Sequence, residues 1–94
     1  MPTRVQVSMR GMAEDAGLRQ RAEALLGSLP AGTDVALAKF SLERREPSTH
    51  AVAVVLALRG VEEPVVRHAA SSDWEKAFLE LARKLERALP GGGE

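Results

Sequence analysis

The sequence predicts an α+β fold in which one four-stranded sheet carries both helices on the same face. Two observations predict it. In two stretches the apolar residues recur every three or four positions, which is the period of an amphipathic helix. In four other stretches they alternate with polar or small residues, which is the period of a strand. These stretches follow the order β-α-β-β-β-α within 94 residues, a length that fits a single domain.

The first three elements predict a crossover connection. Residues 4–9 alternate as a half-buried strand, residues 15–29 read as a helix with Asp15 at its N-cap, and residues 35–43 form a second strand. Because a helix joins the two strands, a right-handed crossover makes them parallel neighbours.

The next two strands are predicted to complete the sheet as an antiparallel meander, because their connections are short. Residues 49–59 form the most apolar strand, and residues 65–70 form a short last one. The first of these is apolar on both sides, which is typical of a strand inside a sheet or beneath a partner. Its two sides consist of Val52, Val54, Leu56 and Leu58 on one, and Ala51, Ala53, Val55 and Ala57 on the other.

The last helix, residues 72–89, has the clearest pattern in the chain. Ser72 and Glu75 match a capping box, in which each side chain accepts from the other residue's backbone N–H. Acidic residues lead and basic residues trail, as the helix dipole favours. We expect a domain of residues 1–90, followed by a flexible tail of residues 91–94. The apolar stripe consists of Trp74, Ala77, Phe78, Leu81, Ala82, Leu85, Ala88 and Leu89.

Composition argues against several classes of function. The chain has no cysteine, so thiol catalysis and thiolate metal sites are excluded. His50 and His68 fall within predicted strands with no metal-ligand spacing, and there is no glycine-rich phosphate loop before a helix. We therefore expect no enzyme activity, cofactor, metal or small-molecule substrate. No apolar run reaches membrane-spanning length, so no membrane partner is expected and a cytoplasmic location is the default.

The basic end of the last helix is the best functional clue. Arg83, Lys84 and Arg87 share its solvent side and make a small positive patch that suits phosphates. The alternative interpretation is that these bases complement the helix dipole and pair with Glu80 and Glu86. Thirteen bases against thirteen acids give zero net charge, which argues against strong non-specific nucleic-acid binding but permits a local patch.

Two stretches resemble a known family. Residues 73–89, DWEKAFLELARKLERAL, carry an aspartate, a large apolar residue and a closing Lys-Leu-Glu-Arg-x-Leu. Residues 7–29 add Arg10 after the first strand, the N-cap Asp15 and the helical Leu18. With the same order of elements, residues 4–89 resemble the ribosome hibernation-promoting factors and ribosome-associated inhibitors, in a short and diverged form.

The resemblance implies a function on the ribosome. Members of that family occupy the channel of the small ribosomal subunit, contact ribosomal RNA through bases on both helices, block translation and preserve ribosomes under stress. Lys84, Arg87 and Arg10 match positions that are basic in the family, and Arg83 is an additional base beside them. Bases on the first helix extend the patch if the helices lie side by side. The RNA-binding candidates are Arg83, Lys84, Arg87, Arg10, Arg19 and Arg21.

The alternative hypothesis is a protein-interaction module on the same fold. If the helices cover one face of the sheet, the small apolar residues of strand 49–59 leave an apolar patch on the other face. Such a patch suits a homodimer. The chain would then be a diverged family member that does not bind ribosomes.

Overall fold

The computed structural model describes residues 3–89 and has the predicted order of elements. The predicted tail, residues 91–94, lies outside the described residues. The elements are β1 (Arg4–Arg10), α1 (Ala16–Gly27), β2 (Val35–Arg45), β3 (Thr49–Leu58), β4 (Val65–Ser71) and α2 (Trp74–Ala88).

The strands lie in the order β1-β2-β3-β4. β1 runs parallel to β2, while β2 with β3 and β3 with β4 pair antiparallel. The parallel crossover and the meander are thus both confirmed. β1 and β4 are the two edge strands, and β3 lies inside the sheet between β2 and β4, where its apolar sides indicated it would be.

The core lies between the two helices and one face of the sheet. On the sheet, alternate residues such as Phe40, Val54 and Leu56 are almost fully buried. Leu81 and Leu85 of α2 have no exposed surface, and burial of each stabilises the fold by about 1.5–3 kcal/mol before entropy is counted. α1 adds Ala22 and Leu25 to the same cluster, so both helices pack on one face, as predicted.

The start of α2 differs from the expected capping box. The N-cap is Asp73 and not Ser72, and the Asp73 carboxylate accepts the N–H of Lys76 at 2.8 Å. A carboxylate also interacts more favourably than a hydroxyl with the positive end of the helix dipole. Because the helix begins one residue later, Glu75 occupies its second position and is out of register for a capping box with Ser72.

The cap yields a direct prediction about stability. Asp73→Ala removes the acceptor for the Lys76 N–H and should lower the free energy of unfolding by about 1 kcal/mol. Ser72→Ala is the matched control and should change it by less than about 0.5 kcal/mol. Urea denaturation measures both. A larger loss for Ser72→Ala than for Asp73→Ala would contradict this placement of the helix start.

Candidate nucleic-acid interface

The buried stripe of α2 fixes where its basic residues lie. Lys84 precedes the buried Leu85 and is half-buried on the flank of the helix that faces β4. Its ammonium group donates to the backbone carbonyl of His68 at 2.8 Å and lies 3.5 Å from the Glu80 carboxylate. Lys84 therefore ties α2 to the edge of the sheet while part of its charge stays exposed to solvent.

Arg67 joins this flank from the sheet, and the sequence analysis missed it. It pairs in register with the buried Val54, so its position belongs to the helix-covered face. It is nevertheless exposed, because β4 is an edge strand. Its guanidinium donates to the Val66 carbonyl at 2.6 Å. In the sequence, Arg67 lies two residues after Val65 and two before Ala69. Because alternate residues of a strand share a face, this position could have indicated that Arg67 lies on the helix side.

Together these side chains line one open surface depression, which we call the cationic groove. It has a volume of about 390 Å³ and lies between the edge of β4 and the second half of α2. The bases also cover backbone carbonyls of Val66 and His68, and positive side chains on an edge strand oppose pairing with another strand. The residues that line the groove are Val66, Arg67, His68, Lys84, Arg87 and Ala88.

The charges at the groove are only partly neutralised. Among residues 3–89, Glu80 is the ion-pair partner of Lys84, and Arg67, Arg83 and Arg87 have none. Arg83 and Arg87 are both exposed. Three guanidinium groups therefore remain available for anions, and their forked geometry suits phosphate oxygens.

The bases of α1 lie apart from the groove. The Arg21 guanidinium is 5.7 Å from the centre of the Phe78 ring, a cation–π contact that holds it in the cleft between the two helices. Arg19 pairs with Glu14 just before its own helix. Arg21 thus touches α2 on the flank opposite Lys84, so the two helices present bases on two separate surfaces.

Arg10 lies on a third surface, away from both the cationic groove and the bases of α1. It ends β1 and pairs in register with Glu43, on the face of the sheet that no helix covers. The structure therefore brings Lys84 and Arg87 together with Arg83 beside them, but it places Arg10, Arg19 and Arg21 elsewhere.

Within residues 3–89, no three His, Asp or Glu side chains gather closely enough to hold a metal ion. No helix in this part of the chain has the length and apolar character needed to span a membrane.

Comparisons with known proteins connect this geometry to solved structures. No protein-family model matches the chain, and no curated protein matches it by sequence. A ribosomal subunit interface protein from Coxiella burnetii superposes with a TM-score of 0.80 at 22% identity, covering 93% of both chains. The Protein Y N-terminal domain of Thermus thermophilus superposes at 0.78 and 17%, covering 93% of this chain and 94% of that one. The chain has the fold of these two proteins. The resemblance drawn from the sequence is thereby confirmed at the level of fold.

The contact between α2 and β4 predicts different roles for adjacent bases. Lys84→Met removes the hydrogen bond to the His68 carbonyl but keeps an apolar stem, and should lower the free energy of unfolding by about 0.5–1.5 kcal/mol. Arg83→Met removes a base that has no ion pair within residues 3–89 and should change it by less than about 0.5 kcal/mol. Chemical denaturation compares the two. Equal losses would show that the hydrogen bond contributes nothing to stability.

Proposed function

We propose that this protein binds the RNA of the small ribosomal subunit through the cationic groove and inhibits translation by occupying its site there. The single observation that carries the proposal is the convergence of Arg67 and Arg87 on one groove. They come from different elements, and neither has an ion pair within residues 3–89. Arg83 extends the positive surface along the exposed side of α2.

Contacts at this surface would be made to phosphates and to RNA shape. Phe40 and Phe78 are buried, and Trp74 packs against His50 at 5.0 Å and against Phe78 at 6.4 Å between ring centroids. These are the only three aromatic residues of the chain, so it has no aromatic platform on which bases stack. Phosphate contacts position a protein without reading sequence, which fits binding to one folded RNA by shape.

The solved structures support a ribosomal partner. The Coxiella burnetii protein, which has this fold, is described as a ribosomal subunit interface protein. A protein bound in the RNA channel of the small subunit needs no catalytic group, because it inhibits by exclusion. The resemblance to the hibernation-promoting factors implies the same mode of action, because these factors preserve idle ribosomes under stress.

The dimer alternative depends on the helix-free face, which we define as the sheet surface opposite the helices. Its middle is formed by Ala51, Ala53 and Val55, which are only half-buried. In the part of the chain that the structure describes, the strands place four bases and one acid on the same face. Two copies joined through it would bring like charges together, which disfavours self-association. The charged residues of the face are Arg4, Arg10, Lys39, Arg45 and Glu43.

Neutralising the groove tests the proposal. Arg67→Gln/Arg87→Gln should weaken binding to bacterial small subunits roughly a hundredfold or more, because each of the two charge-assisted hydrogen bonds is worth about 1.5–3 kcal/mol. The salt dependence, as log affinity against log salt, should become shallower by about 1.4–1.8. Co-sedimentation across a salt series measures both.

The matched control removes two bases from other surfaces. Arg44→Gln/Lys76→Gln changes the net charge equally but leaves the groove intact, and should bind as the wild type does. In cell-free translation the wild-type protein and the control should inhibit, and the groove variant should not. Equal binding by the groove variant and the control would remove the groove from the mechanism.

A further inference from the structure

The helix-free face is organised in rows that cross all four strands. One row runs from Arg10 through Glu43 and Ala51 to Ala70, and the next from Ser8 through Ser41 and Ala53 to His68. Small residues therefore form the middle of the face, with longer polar side chains around them. The result is a shallow depression of about 410 Å³.

This face is strongly basic although the chain as a whole is neutral. Among residues 3–89, the strands place four bases and one acid on this face, whereas the chain has thirteen of each. The single acid, Glu43, is already paired, since the Arg45 guanidinium donates to it at 2.9 and 3.1 Å. Arg4, Arg10 and Lys39 have no ion pair within residues 3–89.

The distances between these bases suit an extended anion better than a small one. Arg4 and Arg10 stand at opposite ends of β1, roughly 20 Å apart at about 3.3 Å per residue. Lys39 lies on the neighbouring strand between them, opposite Gln6. A small ion reaches one of these positions only, but a chain of phosphates or carboxylates reaches all three. The exposed hydroxyls of Ser8 and Ser41 lie along the same path and can donate to its oxygens.

The composition of the face favours RNA over an acidic protein. Protein interfaces have an apolar centre with aromatic anchors, and the three aromatic residues of this chain lie on the other side of the sheet. The middle of the face consists of Ser41, Ala51, Ala53 and Val55, whose small side chains leave an open depression without an aromatic anchor. Phosphate backbones need only positive charge and hydroxyl donors in an open groove.

We infer that the helix-free face is a second RNA-binding surface, which holds an extended RNA backbone by its phosphates through Arg4, Arg10 and Lys39. The inference rests on the proposed function only in its choice of RNA as the polyanion. The cationic groove and this face lie on opposite sides of the sheet and meet at β4, where the His68 carbonyl belongs to one and its side chain to the other. The domain can thus sit between two RNA segments.

Amide chemical-shift mapping with a short single-stranded RNA oligonucleotide tests the inference. Addition of RNA to the wild-type protein should shift the amides of Ser41 and Ala53. These shifts should persist in Arg67→Gln/Arg87→Gln and should require a much higher RNA concentration in Arg10→Gln/Lys39→Gln, which keeps Arg4. In the latter, the salt dependence of binding to this face should become shallower by about 1.4, which corresponds to two phosphate contacts on a single strand.

A control variant and a competing polyanion show whether the response is specific to this face and to RNA. Arg44→Gln/Lys76→Gln should give the wild-type shifts at Ser41 and Ala53. Shifts confined to the cationic groove would overturn the inference. So would polyglutamate of similar length that moves the same amides with equal affinity, since the occupant would then be an acidic chain of any kind.

The result is separable from that of the proposed function. If Ser41 and Ala53 respond to RNA but the protein does not co-sediment with small subunits, the second surface stands and the ribosome proposal fails. If co-sedimentation depends on Arg67 and Arg87 while Ser41 and Ala53 never respond, the ribosome proposal stands and the second surface fails.

Discussion

The packing of α2 against β3 and β4 is the constraint on which the rest of this structure depends. Phe78, Leu81 and Leu85 are buried together with Val54 and Leu56 of the sheet. That burial sets the rotation of the helix, and the rotation decides which side chains flank it. Lys84 meets the edge of β4 because Leu85 beside it is fixed in the core. The cationic groove is therefore a consequence of apolar packing.

The register of β4 is equally decisive, because alternate residues of a strand point to opposite faces. Arg67 faces the helix side and the His68 side chain the helix-free side, since the core holds Ala69 opposite Val52. A shift of one residue in either direction would put the Arg67 side chain on the helix-free face and the His68 side chain on the helix side. The burial of Ala69 therefore places the Arg67 side chain at the cationic groove and the His68 side chain on the helix-free face.

The distribution of charge is compatible with the proposed RNA binding although the net charge of the chain is zero. Exposed charges are screened over about 8 Å at physiological salt, so a phosphate at the groove interacts mainly with Arg67, Lys84 and Arg87. Glu80 offsets part of the charge of Lys84 at this groove, whereas Glu14 pairs with Arg19 and Glu43 with Arg45 on other surfaces. Net charge is an average over the surface, whereas binding depends on each patch.

Most of the fold could be predicted because β1 alternates clearly, α2 has a clear helical period and the later connections are short. The two apolar sides of β3 and the helical stripe of α2 predicted the order, direction and packing of the elements correctly. The start of α2 was missed by one residue, because Ser72 and Asp73 are both good N-caps and local pattern cannot rank them. Arg67 was missed for a different reason. Its role depends on how closely α2 approaches the edge of β4, which is a tertiary distance that no local pattern encodes.

Cryo-electron microscopy of small ribosomal subunits incubated with this protein would show whether the cationic groove contacts ribosomal RNA. We expect density for the domain in the RNA channel, with the second half of α2 and the edge of β4 against ribosomal RNA and the guanidinium groups of Arg67 and Arg87 beside phosphates. Subunits without bound protein, or a bound domain whose α2 faces solvent, would contradict this expectation.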